Sequence, residues 1–419
     1  MQKTPRIQLL LVILISLLVG YYFGVNKINF DWKNYNPKLS VIAKEPPAQL
    51  SAVDFSSFWK VWQKLESNYY DKTKLNSQKM LNGAISGMVA SLDDPFTVYL
   101  PPVQNDNFKQ GLAGQFQGIG AELGLKDQKI IVISPLNGSP AQKAGIKAGD
   151  SILAVNGGSA ANLTLSQAVE KIRGPKGTTV TLTVSHKDEN SSKDIKIVRD
   201  VITVKSVETW IKKGKDIDSI ELGKQFADSK IAYIRLSQFG DNTNSEWLSA
   251  VNDLNLSLSS QKNVKGVVFD MRNNPGGYLS DAVFIASEFL KEGATVVIEE
   301  EASGKTTLKV NRRGLLIDTP LIILINKGSA SASEIVAGAL RDNERAKLIG
   351  ETSFGKGTIQ QAEDLGGGAG LHVTIAKWLT PNQIWVNGKG LTPDIEINLD
   401  SKRPERDLQL EKAVLELIK

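Results

Sequence analysis

The chain reads as an α/β protein built on a substantially parallel sheet, preceded by a helical segment and interrupted by a β-rich insert. Three observations carry that reading. Beyond Ile220, short apolar runs alternate with helical repeats, the pattern of layered strand and helix units. From about Gly114 to Val204, short β-branched runs separated by glycine turns take over. Between Asp54 and Asp94, apolar residues recur at three- and four-residue steps instead. At 419 residues, 41% hydrophobic and 23% charged, the chain is long enough for two or three domains and too apolar to be largely disordered.

The first residues predict a membrane anchor. Lys3 and Arg6 precede an uncharged run, Ile7 to Val25, that would extend about 28 Å as a helix, close to a bilayer core. Tyr21, Tyr22 and Phe23 would lie at the far interface, and the leading charges favour a cytoplasmic N-terminus. No A-x-A-like site follows the run, which favours an uncleaved anchor over a signal peptide. Residues 26–52, punctuated by Pro37, Pro46 and Pro47, read as a linker. In the helical segment, 53–112, Phe55, Phe58, Val61, Trp62 and Leu65 form one apolar stripe. Met80, Leu81, Ile85, Met88 and Val89 form another after the candidate cap Asn76. Both stripes are expected to pack as core, and Asp94-Pro95 should stop the second helix.

In the insert, 113–204, a β-branched run at Ile130 to Ile133 precedes a short helix opened by Ser139-Pro140. A turn-strand-turn follows from Gly149 to Gly157, then a helix from Leu165 to Ile172 and a strand from Thr179 to Val184. This order, with Gly118-Ile119-Gly120-Ala121, Ser-Pro-Ala, Ala-Gly-Ile-Lys-Ala-Gly-Asp and a Val-Asn-Gly turn, resembles a PDZ domain. Successive N–H groups in such a glycine loop can hold a terminal carboxylate while the following strand pairs with the peptide. In the core, 205–400, strands are expected near Ile231 to Leu236, Gly266 to Asp270, Thr295 to Ile298, Leu321 to Ile325 and Ala346 to Ile349. Helices are expected near Ser245 to Ser257, Leu279 to Leu290 and Ala332 to Asp342, and residues 401–419 should form a C-terminal helix.

Several function classes fall away on composition. The net charge of +5 comes from interspersed lysines and acids, with no basic block among aromatics, so nucleic acid is not an expected partner. Cysteine is absent and only His186 and His372 exist. A Cys-His site is excluded, and a Ser-His-Asp triad would have to use one of two poorly placed histidines. His186 has Asp188 and Glu189 beside it in a turn expected to be solvated, and His372 has no acidic neighbour at ligand spacing. No metal or cofactor is therefore expected. Gly-Gly-Gly-Ala-Gly at 366–370 lacks the lysine and helix of a phosphate loop and reads as a loosened loop.

The chemistry is concentrated in a run of small residues and a glycine-flanked lysine. Gly328-Ser329-Ala330-Ser331-Ala332-Ser333-Glu334 follows a strand and opens a helix, where free N–H groups and the dipole favour negative charge. Ser329, Ser331 and Ser333 all compete for a nucleophile's role, and Ser331 with Glu334 also fits a capping box. Lys356, in Phe354-Gly355-Lys356-Gly357-Thr358-Ile359-Gln360, could act as a base only with its proton affinity reduced, as by burial.

These motifs, together with Asp270-Met271-Arg272-Asn273-Asn274-Pro275-Gly276-Gly277 and Gly390-Leu391-Thr392-Pro393-Asp394, occur in an order similar to that of carboxy-terminal processing, or tail-specific, proteases. The likeness runs from Asp54 to about Leu399. It implies a crotonase- or ClpP-like β/α protease core with an inserted PDZ domain. It also implies Ser331 as nucleophile, Lys356 as general base and Gln360 as the residue that positions the lysine. Gly277 and Ala332 would form the oxyanion hole, and the peptide would bind at Gly118, Ile119, Gly120 and Ala121. Arg173 matches a position tied to gating in relatives, although an arginine there also complements a helix dipole. The implied partners are apolar C-terminal tails of extracytoplasmic proteins, met at a bacterial-type cell membrane; self-association is left open. Two readings compete: a membrane-tethered, catalytically silent PDZ scaffold, and a crotonase-like enzyme acting on acyl thioesters.

Overall fold

Side chains alternate between the two faces of the central sheet, and each face is buried by a different set of helices. The computed structural model describes residues 12, 14–18, 28–33, 36–41, 54–126, 129–136, 138–161, 163–186, 191–261, 263–398, 403 and 406–419. The expected anchor at 7–25 lies largely outside them. Among the described residues no helix is long and apolar enough to cross a membrane. The chain divides into two compact units, residues 1–81 and 82–419.

In the first unit, β1 (Ile28–Lys33) pairs antiparallel with β2 (Asn36–Val41), within the stretch read as a linker. Ile28, Phe30 and Trp32 alternate with polar residues at the period of a strand, a signal that the prolines had masked. Helix α1 (Ser56–Asn68) has the expected apolar spacing, yet none of its residues is buried. Val61 of the expected stripe is 60% exposed, and Phe55 and Leu65 are exposed too, so the expected core role fails within this unit, which supplies no second apolar layer for the stripe. Phe58, Trp59 and Trp62 cluster with one another instead.

Helix α2 (Ser77–Ala90) is capped by the Asn76 side chain, which accepts from the Lys79 N–H at 2.9 Å. Its last-turn methionine, Met88, is also exposed rather than core, while Val89 packs with Tyr99 and Ala369. Strand β3 (Val98–Leu100) and helix α3 (Pro102–Leu112) lead into the insert. There follow β4 (Gln115–Gly118), β5 (Ala121–Lys126), β6 (Lys129–Pro135), α4 (Pro140–Lys143), β7 (Ser151–Val155) and β8 (Gly158–Ser159). Helix α5 (Leu165–Ile172) and strands β9 (Thr179–Ser185), β10 (Ser192–Val198) and β11 (Asp200–Thr203) complete it. The sheet order β10-β9-β7-β6-β5 leaves β5 at an edge, beside α5. His186 does not sit in a solvated turn: it is 6% exposed, with Nδ1 2.6 Å from Asp150 Oδ1. Its partner is remote in sequence, so the adjacent Asp188 and Glu189 misled.

The core contains β12 (Val207–Lys213), β13 (Lys230–Leu236), α6 (Thr243–Ser260), β14 (Val264–Asp270), α7 (Leu279–Ala286), β15 (Thr295–Glu301) and β16 (Gly304–Lys309). It continues with β17 (Leu321–Ile325), α8 (Ala332–Asp342), β18 (Lys347–Gly350), β19 (Thr358–Gly366), β20 (Ala369–Leu379), β21 (Ile395–Glu396) and α9 (Leu408–Ile418). The main sheet runs β12-β13-β14-β17-β18-β21 and is parallel apart from β12. Val267, Phe269, Ile323 and Ile325 share a cluster with Trp247 of α6 and Ile335 of α8, whereas Val268 and Leu324 meet Leu410 and Val414 of α9. Burial on both faces explains why these strands read as continuous apolar runs.

Strand β15 does not belong to this sheet. It joins β16, β20 and β19 in a second, antiparallel sheet, with β3 added on β20. The glycine run at 366–370 is the tip of the β19–β20 hairpin and not a loosened loop: Gly366, Gly367 and Gly368 take φ of +79°, +60° and +87°. Asn105 Nδ2 holds the Gly368 carbonyl at 2.9 Å.

One ion network ties the end of β14 to α9. Arg272 donates from Nε to Asp270 Oδ1 at 3.0 Å and from Nη1 and Nη2 to the two Asp407 oxygens at 2.9 and 2.8 Å. Burial opposes its charge, but Asp270 and Asp407 more than offset that and hold the guanidinium protonated. Arg272→Ala would strand two carboxylates at this junction. It is expected to lower unfolding free energy by about 3–5 kcal/mol, read from a denaturant titration.

Candidate active site

Three parallel strands deliver the site. β14, β17 and β18 lead at their carboxyl ends into the Asn-Pro-Gly-Gly loop, the serine turn and the lysine loop, where open α/β sheets present ligand-binding groups. The serine turn ends in α8, and its last residue before the helix is Ser331. Its backbone takes φ +55° and ψ −115°, outside the favoured regions for an L-residue, a strain that surrounding contacts must hold in place.

The three serines separate clearly. Ser329 is buried, with its hydroxyl donating to the Met271 carbonyl at 2.9 Å and accepting from the Asn326 N–H at 3.0 Å. Ser333 is buried and donates to the Asn274 carbonyl at 2.9 Å. Ser331 alone of the three lines a cleft of about 470 Å³. Its neighbours there include Lys356, Gly277, Ala332, Gln360 and His372.

Glu334 joins the serine turn to the lysine loop. Fully buried in the first turn of α8, its carboxylate accepts from Ser331 N–H at 2.8 Å, Ser353 Oγ at 2.6 Å, Gly355 N–H at 2.7 Å and Lys356 N–H at 2.9 Å. Local spacing predicts only a capping role for Glu334, because its other donors lie some twenty residues on. Ser353 is in turn held by the last family motif, since its Oγ accepts from Leu391 N–H at 2.7 Å. A side chain on Gly355 would put Cβ 2.8 Å from the Gly390 nitrogen, and one on Gly357 would put it 2.6 Å from Trp385 Nε1. Trp378 and Trp385 fix the same loop by donating to the Lys356 and Gly357 carbonyls at 3.0 and 2.8 Å.

Lys356 is half-buried, and desolvation lowers its pKa from the usual lysine value, against the opposing charges of Asp94 and Glu334. Its Nζ lies 5.1 Å from the centre of the Phe96 ring. Gln360 lines the cleft, but its amide donates to Thr358 Oγ1 at 2.8 Å and Thr374 Oγ1 at 3.1 Å. Among the described residues no hydrogen bond joins it to Lys356. His372 is better placed than its sequence neighbours suggested: it lies on β20 in the same cleft, stacked edge-on against Phe108 at 4.5 Å. Burial, then the charge of Lys356, lowers its pKa below the ordinary histidine value.

The glycine loop is braced against the turn. Asn274 is buried, donates to the Leu236 carbonyl at 2.8 Å and accepts from Gly276 N–H at 2.9 Å; its own carbonyl takes the Ala330 N–H at 3.0 Å. Gly277, at φ +143°, lies so near Phe239 that a Cβ would fall 1.7 Å from its carbonyl oxygen. No hydrogen bond engages the N–H of Gly277 or Ala332 among the described residues, and both residues line the cleft. Pro95, Phe96, Val98, Phe108 and Leu112 form the cleft's apolar wall, all from the segment before the insert. No local motif marks them.

In the insert, Gly118 ends β4, Ile119 and Gly120 form the turn, and Ala121 begins the edge strand β5. The carbonyls of Ile119 and Gly120 accept from Ala141 and Leu136, while their N–H groups make no hydrogen bond among the described residues. Gly120 takes φ +72°, and a Cβ there would lie 2.5 Å from Ser139 Cβ. Arg173 follows the last residue of α5 and stacks its guanidinium over Phe116 at 5.0 Å, its Cγ near Gly118.

Comparison with known proteins places the chain among peptidases. Residues 230–397 match peptidase family S41, residues 109–185 match the PDZ domain, and residues 15–102 match the activating protease CtpB N-terminal domain. The chain is 35% identical over 360 residues to the carboxy-terminal processing protease CtpA of Bacillus subtilis, covering 86% of this chain and 72% of that protein. It is 39% identical over 366 residues to a Staphylococcus aureus protein described as "Probable CtpA-like serine protease", covering 87% and 68%. A solved structure from Bacteroides fragilis, described as "Putative S41 protease", matches with a TM-score of 0.57 at 17% identity, over 85% of this chain and 97% of that one; it speaks to the fold alone. By its S41 core, its PDZ insert and its kinship to these enzymes, the chain belongs to the PDZ-containing carboxy-terminal processing protease family and is a serine-type peptidase.

Proposed function

We propose that the protein is a membrane-anchored, extracytoplasmic endopeptidase that takes apolar C-terminal tails on its PDZ domain and cuts them with a Ser331–Lys356 dyad. The observation that carries the dyad is the buried Glu334 carboxylate, which binds the backbone of both residues, and both residues line one cleft. Burial favours neutral Lys356, the form able to take the proton of Ser331 as its oxygen attacks a peptide carbonyl. The N–H groups of Gly277 and Ala332, at the mouth of α8, would receive the developing oxyanion. The lysine then protonates the departing amine, and water releases the acyl group. Gln360 would assist only after its amide leaves the two threonines.

For tails, the reading draws support from the free N–H groups of the glycine turn beside an unpaired strand edge. A terminal carboxylate fits the first and an added strand the second. The apolar Phe96, Phe108 and Leu112 wall favours apolar side chains at the cut. Anchoring rests on the uncharged run Ile7 to Val25.

The full chain, reconstituted in detergent or lipid, is expected to cut a protein with a disordered apolar tail far faster than one whose tail ends in charged residues. Ser331→Ala and Lys356→Ala should each remove that cleavage; tail binding without any cutting by the unmodified enzyme would contradict the reading. Activity should climb as pH rises through the lowered Lys356 pKa, because only the neutral amine is a base. An acid limb below the ordinary histidine value of about 6.5, lost in His372→Ala, would transfer the base to His372. Gly277→Ala, whose methyl meets the Phe239 carbonyl, should reduce kcat on the order of a hundredfold, measured on the folded variant.

A further inference from the structure

Lys356 points its ammonium at a turn that no motif of the family core contains. α2 ends at Ala90, before the expected Asp94-Pro95 stop, and a short turn leads to Asp94, whose carboxylate accepts from the Phe96 N–H at 3.0 Å and from Thr97 Oγ1 at 2.7 Å. That turn fixes the Phe96 ring, whose centre lies 5.1 Å from Lys356 Nζ. Thr97 Oγ1 also accepts from the Thr374 N–H at 3.0 Å, which fastens the turn to β20 beside His372. We propose that Asp94 and Phe96 form the seat of the Lys356 ammonium, with Asp94 as the counter-charge that holds its proton in the resting enzyme. Its bearing on catalysis rests on the dyad proposed above, in which Asp94 is a positioning residue acting through Lys356.

The charged and titratable groups that interact with Lys356 are few. Asp94 and Glu334 favour the ammonium, while burial works against it. His372, across the cleft, has its own pKa lowered by burial and by the lysine charge, so it is neutral at physiological pH and adds no charge. Glu334 is committed to four donors and cannot be altered without dismantling the site. Asp94 is therefore the separable determinant. Burial raises the Asp94 pKa, but hydrogen bonds from Thr374, Thr97 and Phe96 and the charge of Lys356 outweigh it and leave the group ionised at neutral pH. Phe96 adds a π face, which favours a cation and offers nothing to a neutral amine.

Asp94→Asn removes the charge and keeps an oxygen for the Phe96 N–H, so the turn should survive; circular dichroism and a melting curve check that it does. The direct readout is the titration of Lys356 by 13Cε-lysine NMR in the full chain carrying Ser331→Ala, assigned by its loss in Lys356→Arg. The midpoint is expected to fall by about one pH unit in Asp94→Asn and by less in Phe96→Leu. In the active enzyme the acid limb of kcat/KM should fall with it. One unit below the original midpoint, Asp94→Asn would then be about fivefold more active than the unmodified enzyme. An unmoved or raised Lys356 midpoint in folded Asp94→Asn overturns the inference. A lowered midpoint with an unmoved pH–rate limb supports the seat and instead rejects Lys356 as the base.

Discussion

The site depends on one buried carboxylate. Glu334 lies wholly out of solvent, where an anion is unfavourable by several kcal/mol unless donors surround it. Its donors come from two places, the serine turn and the loop at Ser353 to Lys356, so satisfying the carboxylate forces the two into one frame. Each such charge-assisted bond contributes roughly 1.5–3 kcal/mol, against a total folding stability of about 5–15. The strained backbone of Ser331 becomes affordable in that setting. The same constraint accounts for the glycines on either side of Lys356, because the loop must pass within contact of the 385–390 backbone to reach Glu334.

Around this carboxylate the scaffold repeats one device: loops at the carboxyl ends of parallel strands are fastened to one another by buried side chains. Asn274 fastens the glycine loop to the serine turn, and Asn326 Nδ2 bonds Asn273 Oδ1 across neighbouring strand ends at 2.9 Å. Arg272 anchors the base of the glycine loop to the C-terminal helix through Asp407. Ser331 and Lys356 thus stand on loops at the carboxyl edge of the sheet, while Pro95, Phe96, Val98, Phe108 and Leu112, which form part of the cleft's apolar lining, come from the segment that leads into the PDZ domain. The two sides of the cleft therefore have different attachments.

Legibility in the sequence followed the range of each interaction. Parallel strands such as Leu321–Ile325 and helix Ala332–Asp342 were read to the residue, because double-sided burial and a small-residue turn leave local signatures. Strands β12 and β19 escaped notice because their polar alternation resembles loop composition, although the apolar stretch around His372 in β20 reads as a strand, and β15 was assigned to the wrong sheet since a single strand does not announce its partner. Ser331, Lys356, Gly277 and Ala332 do gather in one cleft. What could not be read was the supporting set: three of the four Glu334 donors, the Asn274 braces, and the Asp94–Phe96 turn over two hundred residues from the lysine it faces. Charge proximity in sequence misplaced His186, whose buried partner is Asp150.

The most direct test of this account is kcat for Glu334→Gln at a temperature where the variant remains folded. Oε2 takes the Ser331 and Lys356 N–H groups and Oε1 takes Ser353 Oγ and the Gly355 N–H, whereas an amide accepts at only one of these atoms, so in either orientation its NH2 faces a backbone N–H of the frame. The account predicts a fall in kcat on the order of a hundredfold or more, with the Kd for a tail peptide on the PDZ domain unchanged. A folded Glu334→Gln enzyme with unaltered kcat would contradict it.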